Sequence, residues 1–280
     1  MKFTDFYKDK IVVVTGGGSG LGQAICLNLA TCDAIVICTD KDLRLAENTI
    51  EIIHSKTQDN NSQAIQLDVT NTKQIRDVIT NVSKEFGRID YMFNNAGITI
   101  GGEIRDLSIN HWKKVIDVNL FGLISCATEA FKLMSKVKQG HIVNITSISG
   151  LLEYTAVSTP YSVSKHGAVS FSKALRLEAL DFNIKVTTVC PGTIKTMIGK
   201  NMELINTNQQ GKQRPIDFIE KGIPPEYASQ IILYGVKKNK SLIIFPTSFK
   251  IYYYLTKIFG FIDKNMTLKM IRNFRKNDRL

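Results

Sequence analysis

Residues 11–22 read IVVVTGGGSGLG. The apolar run 11–14 suits a strand buried on both faces, as in a parallel sheet. Thr15 and the glycines end that run, and residues 21–30 read as a helix. Glycine lets the backbone turn tightly and come close to a ligand, while a helix start offers unpaired N–H groups and a positive dipole end. Strand, glycine turn and helix in this order form a cradle for a pyrophosphate. Its candidate residues are Gly16, Gly18, Ser19, Gly20, Leu21 and Gly22.

Strand-like and helix-like segments alternate outward from this unit. A second apolar run at 34–38 and the segments 64–67, 89–93, 141–145, 185–189 and 241–245 read as further strands. Residues 41–56, 72–86, 112–134 and 161–180 carry helical patterns between them. Such alternation predicts an α/β protein: a single-domain, Rossmann-type, doubly wound parallel sheet of about seven strands. The domain is expected to span 1–246. The polar, weakly patterned stretch 199–216 is expected to be a mobile loop over the site.

Asp40 ends the second strand, about 20 residues beyond the glycine turn. A carboxylate there would accept hydrogen bonds from the ribose hydroxyls of a dinucleotide and repel a 2′-phosphate, which favours NAD(H). Lys41 keeps NADP(H) open, since a neighbouring cation would tolerate the phosphate. Asp40 also suits an N-cap for the helix that follows.

Tyr161 and Lys165 are four residues apart at a helix start, so their side chains share a face. A free tyrosine has a pKa of about 10, and a nearby ammonium favours the phenolate. The same spacing also occurs between unrelated surface neighbours on helices.

Taken together, TGGGSGLG (15–22), Asp68 in LDVT, NNAG (94–97), Asn119 in DVNLFG, Ser147 in NITSISG, YSVSK (161–165) and PGTIKT (191–196) resemble the short-chain dehydrogenase/reductase family over about residues 8–246. The resemblance implies an NAD(P)(H)-dependent oxidoreductase acting on CH–OH groups. It implies Tyr161 as general acid/base and Lys165 as the residue that lowers its pKa and binds the nicotinamide ribose. Ser147 would hold the substrate oxygen, and Asn119 a water in a proton relay. Asn94, Asn95, Ala96 and Gly97 would line the cofactor cleft, Asp68 and Val69 the adenine pocket, and Pro191, Gly192, Ile194 and Thr196 the nicotinamide end. Asp90 would be structural. The family also implies a homodimer or homotetramer. Its pocket positions here are mostly apolar: Ile148, Leu151, Leu152, Tyr154, Val157, Met197 and Ile198. They suit a small hydrophobic alcohol or ketone, lipid- or steroid-like, although such loops also pack against a core.

The chain has 280 residues and a formal net charge of +11. Residues 245–280 hold eight Lys or Arg and two Asp, so +6 of that charge sits in the tail. The extension 247–280 interleaves aromatic, aliphatic and basic residues, with helical stretches near 248–259 and 265–276. Ile251, Leu255, Ile258 and Phe259 fall on one face of the first. That pattern suits peripheral contact with a membrane surface, and equally packing on the domain or a partner subunit. No nucleic-acid recognition motif accompanies the charge. The five cysteines form no CxxC pair and the four histidines show no metal-ligand spacing, so no metal is expected and a reducing cytoplasmic setting is the simplest one. No apolar run is long enough for a signal-peptide core or a membrane span. A competing reading is a catalytically silent dinucleotide sensor, against which Asn119, Ser147, Tyr161 and Lys165 all stand intact.

Overall fold

The computed structural model describes residues 4–57 and 61–280. The elements in chain order begin α1 (Thr4–Tyr7), β1 (Ile11–Thr15), α2 (Gly20–Ala30), β2 (Ile35–Asp40), α3 (Leu43–Lys56), β3 (Gln63–Gln66), α4 (Thr72–Phe86), β4 (Tyr91–Asn94) and β5 (Ile100–Gly101). They continue α5 (Ile109–Ile116), a π turn (Asp117–Gly122), α6 (Leu123–Val137), β6 (Gly140–Ile145), α7 (Thr159–Glu178), β7 (Ile184–Pro191) and β8 (Glu203–Leu204). Last come α8 (Gln209–Glu220), α9 (Pro225–Lys237), β9 (Leu242–Phe245), α10 (Thr247–Ile258) and α11 (Gly260–Asn277).

Among the described residues, seven strands form one parallel sheet in the order β3-β2-β1-β4-β6-β7-β9. The expected doubly wound sheet is therefore present. Its inner strands are largely buried because helices cover both faces, whereas the edge strand β3 (QAIQ) is only partly buried. Along β1, Val12 and Val14 join the core under α2, α3 and α9, while Ile11 and Val13 join the opposite core under α4, α6 and α7. The strand order reverses direction between β1 and β4. At such a switch point the loops leaving the strand ends diverge and open a crevice. All five cysteines are buried.

Asp90 supports the sheet, as expected of a structural residue. Its carboxylate accepts from the Ile11 N–H (2.9 Å) and from Arg88 Nε (2.9 Å). The long helix expected over 112–134 starts earlier, at a capping box made by Ser108 and His111, and is interrupted by the π turn. Residues 199–216 are not one loop. They hold β8, which pairs with β5, and most of α8, whose Asn208 cap accepts from the Gly211 N–H (2.8 Å). Helix α9, which covers α2, carried no reading of its own in the sequence. No helix among the described residues is long and apolar enough to cross a membrane.

His141 on β6 is buried, and its Nε2 meets Thr187 Oγ1 at 2.8 Å. That hydroxyl donates to the Lys240 carbonyl (2.8 Å), so the imidazole must donate and its proton sits on Nε2. Burial, then Lys185 and Arg176, push its pKa down to about 3, against about 6.5 for a free imidazole. The unfolded chain therefore binds a proton that the folded chain refuses, and stability falls as pH drops from about 6.5 toward 3. The melting temperature of the wild type is expected to fall more steeply across this range than that of His141→Asn, measured on the same buffers.

Candidate active site

The glycine turn is shaped by two left-handed residues, Gly16 (φ 63°) and Gly20 (φ 53°). A Cβ on Gly22 would collide with the Gly16 carbonyl, so α2 can approach β1 this closely only with glycine there. The Thr15 hydroxyl accepts from the N–H groups of Asn95 (3.0 Å) and Ala96 (3.1 Å). The Asn95 amide donates back to the carbonyls of Thr15 (3.1 Å) and Gly16 (3.0 Å). These bonds join the ends of β1 and β4 and set the floor of the crevice. Ser19 caps α2 without a side-chain hydrogen bond, leaving the first-turn N–H groups directed at the crevice. Bare backbone backed by a helix start fits a pyrophosphate.

Asp40 stands beside this turn. Its carboxylate accepts from the Gly18 N–H (3.1 Å) and the Asp42 N–H (3.1 Å). The helix cap itself is Asp42, which accepts from the Arg44 N–H, so the N-cap reading of Asp40 is displaced by two residues. Lys41 pairs with Asp68 at 2.8 Å. Burial would raise the Asp68 carboxyl, but hydrogen bonds from Lys41 and Thr70 hold it below the usual range. Arg44 pairs with Asp42 at 3.2 Å. Asp40, Lys41, Asp42, Leu43, Arg44 and Gln66 line an open cleft of about 660 Å³. Val69 is buried against the π turn at Gly122.

Across the crevice, Ser147 follows β6, and Tyr161 lies in the first turn of α7. The Ser147 hydroxyl lies close enough to the Tyr161 phenol to lower its pKa. The Lys165 ammonium donates to the Ile145 carbonyl (3.1 Å) and lies 5.5 Å from the Tyr161 ring centroid. A Cβ on Gly97 would lie 3.6 Å from that ammonium and 3.4 Å from Asn119 Oδ1. The four candidate side chains, far apart in the chain, thus meet at one place.

The electrostatics differ from the simple expectation. Burial raises the Tyr161 phenol above its ordinary value, the Ser147 hydroxyl pulls it down, and the nearby Cys190 raises it further. Burial pushes Lys165 down to about 8. Ser147 lowers Tyr161 here; the Lys165 ammonium uses one of its three N–H donors on the Ile145 carbonyl.

Asn119 sits on the π turn, completely buried. Its amide oxygen accepts from the Ile98 N–H (2.8 Å), and its amide nitrogen donates to the Ile98 carbonyl (2.8 Å) and to Ser164 Oγ (3.1 Å). The side chain therefore clamps the segment after β4. π turns inside helices often mark functional sites, because they loosen the regular backbone bonding. Asn94 donates to Asn144 Oδ1 (2.8 Å), which spends its amide bracing β4 on β6.

Thr196 reaches the glycine turn: a Cβ on Gly20 would meet its side chain at 3.2 Å. Pro191 and Gly192 end β7, and Phe249 of α10 packs directly on Gly192. Ile194 is buried and bridges to Ile223. Among the expected pocket residues, Ile148 and Leu152 cluster with Leu151, Val169 and Cys190 against Phe249 and Tyr253 of the tail. Tyr154 and Met197 are exposed, and Val157 and Ile198 are half-buried. Sequence reasoning missed Thr15, Ser164 and Arg44. Thr15 and Ser164 stand inside the quoted motifs, so their positions were legible; their hydrogen bonds were not.

Residues 10–205 match a family model described as short chain dehydrogenase. An uncharacterized oxidoreductase of Staphylococcus aureus (strain USA300) is 32% identical over 212 residues, covering 76% of this chain and 88% of that protein. One from Staphylococcus saprophyticus is 34% identical over 220 residues, covering 77% and 90%. A short chain dehydrogenase/reductase from Burkholderia phymatum, solved in complex with NAD, superposes with a TM-score of 0.83 at 21% identity, covering 90% of this chain and 94% of that one. A short-chain dehydrogenase from Streptomyces avermitilis gives 0.79 at 23%, covering 95% and 96%. At these identities the superpositions show the fold.

Replacing Thr15 by Val keeps the shape of the side chain but strands two backbone N–H donors. Urea unfolding is expected to show a loss of about 2 kcal/mol, with Thr15→Ser close to wild type.

Proposed function

The chain belongs to the short chain dehydrogenase family, a family of oxidoreductases, and on that premise we propose that it interconverts a secondary alcohol and a ketone with a nicotinamide dinucleotide, Tyr161 serving as the acid/base residue. The observation that carries this reading is the convergence of Ser147, Tyr161 and Lys165 across the crevice from the glycine turn. The glycine turn, Asp40, Asn95, Ala96, Gly97 and Thr196 would hold the dinucleotide, which when bound supplies the hydride acceptor or donor.

The chain's own residues handle the proton. Ser147 Oγ positions the substrate oxygen and the Tyr161 hydroxyl together. In reduction the buried, neutral phenol donates a proton to the developing alkoxide; in oxidation the phenolate takes the alcohol proton. Lys165, buried and held by the Ile145 carbonyl, stabilises the phenolate when it forms. Asn119 fixes the segment 95–98 that separates the two halves of the site.

NAD(H) is the favoured cofactor. Asp40 faces the position where a 2′-phosphate would sit, and the nearby cations Lys41 and Arg44 are each engaged by a carboxylate. The substrate is proposed to be a hydrophobic alcohol or ketone, supported by Val157, Met197 and Ile198 at the open side of the site. With Ile148 and Leu152 packed on the tail, these residues supply the apolar wall. The protein is proposed to work as a cytoplasmic homo-oligomer pairing through α5–α6 and α7, where Phe121, Val163 and Leu177 are exposed. The extension 247–280 is proposed to touch a membrane surface.

A panel of hydrophobic secondary alcohols and ketones, followed at the nicotinamide absorbance, tests the activity. Tyr161→Phe is expected to lose at least about a hundredfold in kcat while binding dinucleotide normally. Equal turnover by the two would end the proposal. In the same assay NADH is expected to bind roughly tenfold or more tightly than NADPH, and Asp40→Ala to narrow that ratio.

A further inference from the structure

The tail folds back as a helical hairpin, and its inner side is already occupied. Asp263, buried at the start of α11, accepts from the Tyr154 N–H (3.0 Å) and the Tyr252 hydroxyl (2.9 Å). Asp278, also buried, pairs with Arg214 of α8 at 2.8 Å. Arg275 and Arg279 close on the buried Glu103, and Arg279 reaches Asp106 at 3.0 Å. Phe249 and Tyr253 pack into the cluster that holds Ile148 and Leu151.

The outer side of α10 has no such partner among the described residues. Ile251, Tyr254, Leu255 and Ile258 are all exposed, at the i, i+3, i+4, i+7 spacing of a single helix face. The apolar surface continues over the turn through Phe259 and Phe261. Ile258 is 71% exposed and Phe261 62%, far more than a folded domain leaves open without use when such residues are contiguous. Lys250, Lys257 and Lys264 flank this face, and none of them has an ion-pair partner among the described residues. An apolar face bordered by unpaired cations complements an anionic bilayer rather than an acidic protein groove, because the apolar side chains are large, protruding and convex.

A cavity of about 370 Å³ opens beside this face, between α7 and α10. Lys173, His166 and Ser170 from α7 and Lys257 and Tyr253 from α10 line it, with Glu153 as its carboxylate. Two ammonium groups, two hydroxyls and an imidazole line it against one carboxylate. The Lys257 ammonium lies 5.8 Å from the ring centroid of Tyr253, which also lines the cavity, and Lys257 is one helical turn from Tyr254 of the apolar face. A phosphate fits this donor set and is the group that an anionic phospholipid would place just above its acyl chains.

We infer that the outer face of α10 docks on an anionic phospholipid bilayer, with Ile251, Tyr254, Leu255, Ile258 and Phe261 entering the headgroup–acyl boundary and a lipid phosphate held between Lys173 and Lys257. This rests on the proposed membrane contact of 247–280 and gives it a face, a lipid charge and a headgroup site.

Full-length protein floated with phosphatidylcholine vesicles, with and without phosphatidylglycerol, tests the inference. Binding is expected to need phosphatidylglycerol. Ile258→Asp with Phe261→Asp should weaken it at least tenfold, by roughly the loss of two inserted side chains. Lys173→Gln with Lys257→Gln should weaken it roughly twentyfold. Both variants should keep wild-type dinucleotide-linked turnover and thermal unfolding. Inorganic phosphate and glycerol phosphate should not release the protein from vesicles. If wild type binds neither vesicle, the membrane reading of the tail fails along with this one. If wild type binds but both variants bind equally well, this face and cavity are wrong while the tail reading survives. Release by glycerol phosphate would mean a small-anion site and overturn bilayer docking. A change of mass in light scattering by the aspartate variant, without any effect on vesicles, would assign the face to a second copy of the chain.

Discussion

The crevice depends on the forced closeness of β1 and β4 at their carboxyl ends. β1 and β4 pair as neighbours, but the loops leaving them diverge at the switch point, so the backbone groups just past the last pair lack a ladder partner, and buried unpaired donors are costly. Thr15 and Asn95 resolve this by bonding to each other's backbone. Their arrangement leaves the glycine turn bare of side chains and aims the start of α2 into the open space. Every other part of the site is placed relative to that seam. Asp40 borders it on one side, Thr196 approaches it from β7, and Ser147, Tyr161 and Lys165 stand opposite.

The tail is part of the domain's packing. Glu103, buried close to β5, is expected to be unfavourable as a charge, yet hydrogen bonds from Arg275, Arg105 and Arg279 overcome the cost of burial and bring its pKa down to about 2. Two of those arginines come from the last helical turns of the chain and its end. The same clasp joins Asn206 and Asn208, ahead of α8, to the chain end. The segment between β7 and α9 is therefore held by the extension as well as by the domain. This is why residues 199–216 form ordered elements although their composition reads as a loop.

The inner strands were legible because both their faces are covered and their side chains are mostly apolar, and the edge strand β3 because it falls in the same strand–helix alternation. The glycine turn and the Tyr161–Lys165 pair were legible because their spacing is local. What could not be read was set by contacts between distant residues. The two-residue strands β5 and β8 have no period to detect. Helix α8 carries Pro215 and a polar sequence, and it is held by Arg214 reaching Asp278. Ile148 and Leu152 are apolar and follow Ser147, which suits a pocket; that Phe249 and Tyr253, about a hundred residues later, pack against them could not be read. Nor does spacing reveal that Lys165 hydrogen-bonds the Ile145 carbonyl.

The chain by itself keeps Tyr161 neutral, through burial, and keeps Ser147 beside it, ready to pull the other way. A positive charge entering the crevice would add to that of the Lys165 ammonium, whose pKa burial lowers to about 8, in favouring the proposed Tyr161 phenolate. Titration of the Tyr161 phenol, by ultraviolet difference or by a carbon label on the ring, tests this most directly when run with and without oxidised dinucleotide. The account predicts a pKa above about 10 for the free protein and a clear fall on binding. An identical titration in both states would contradict it.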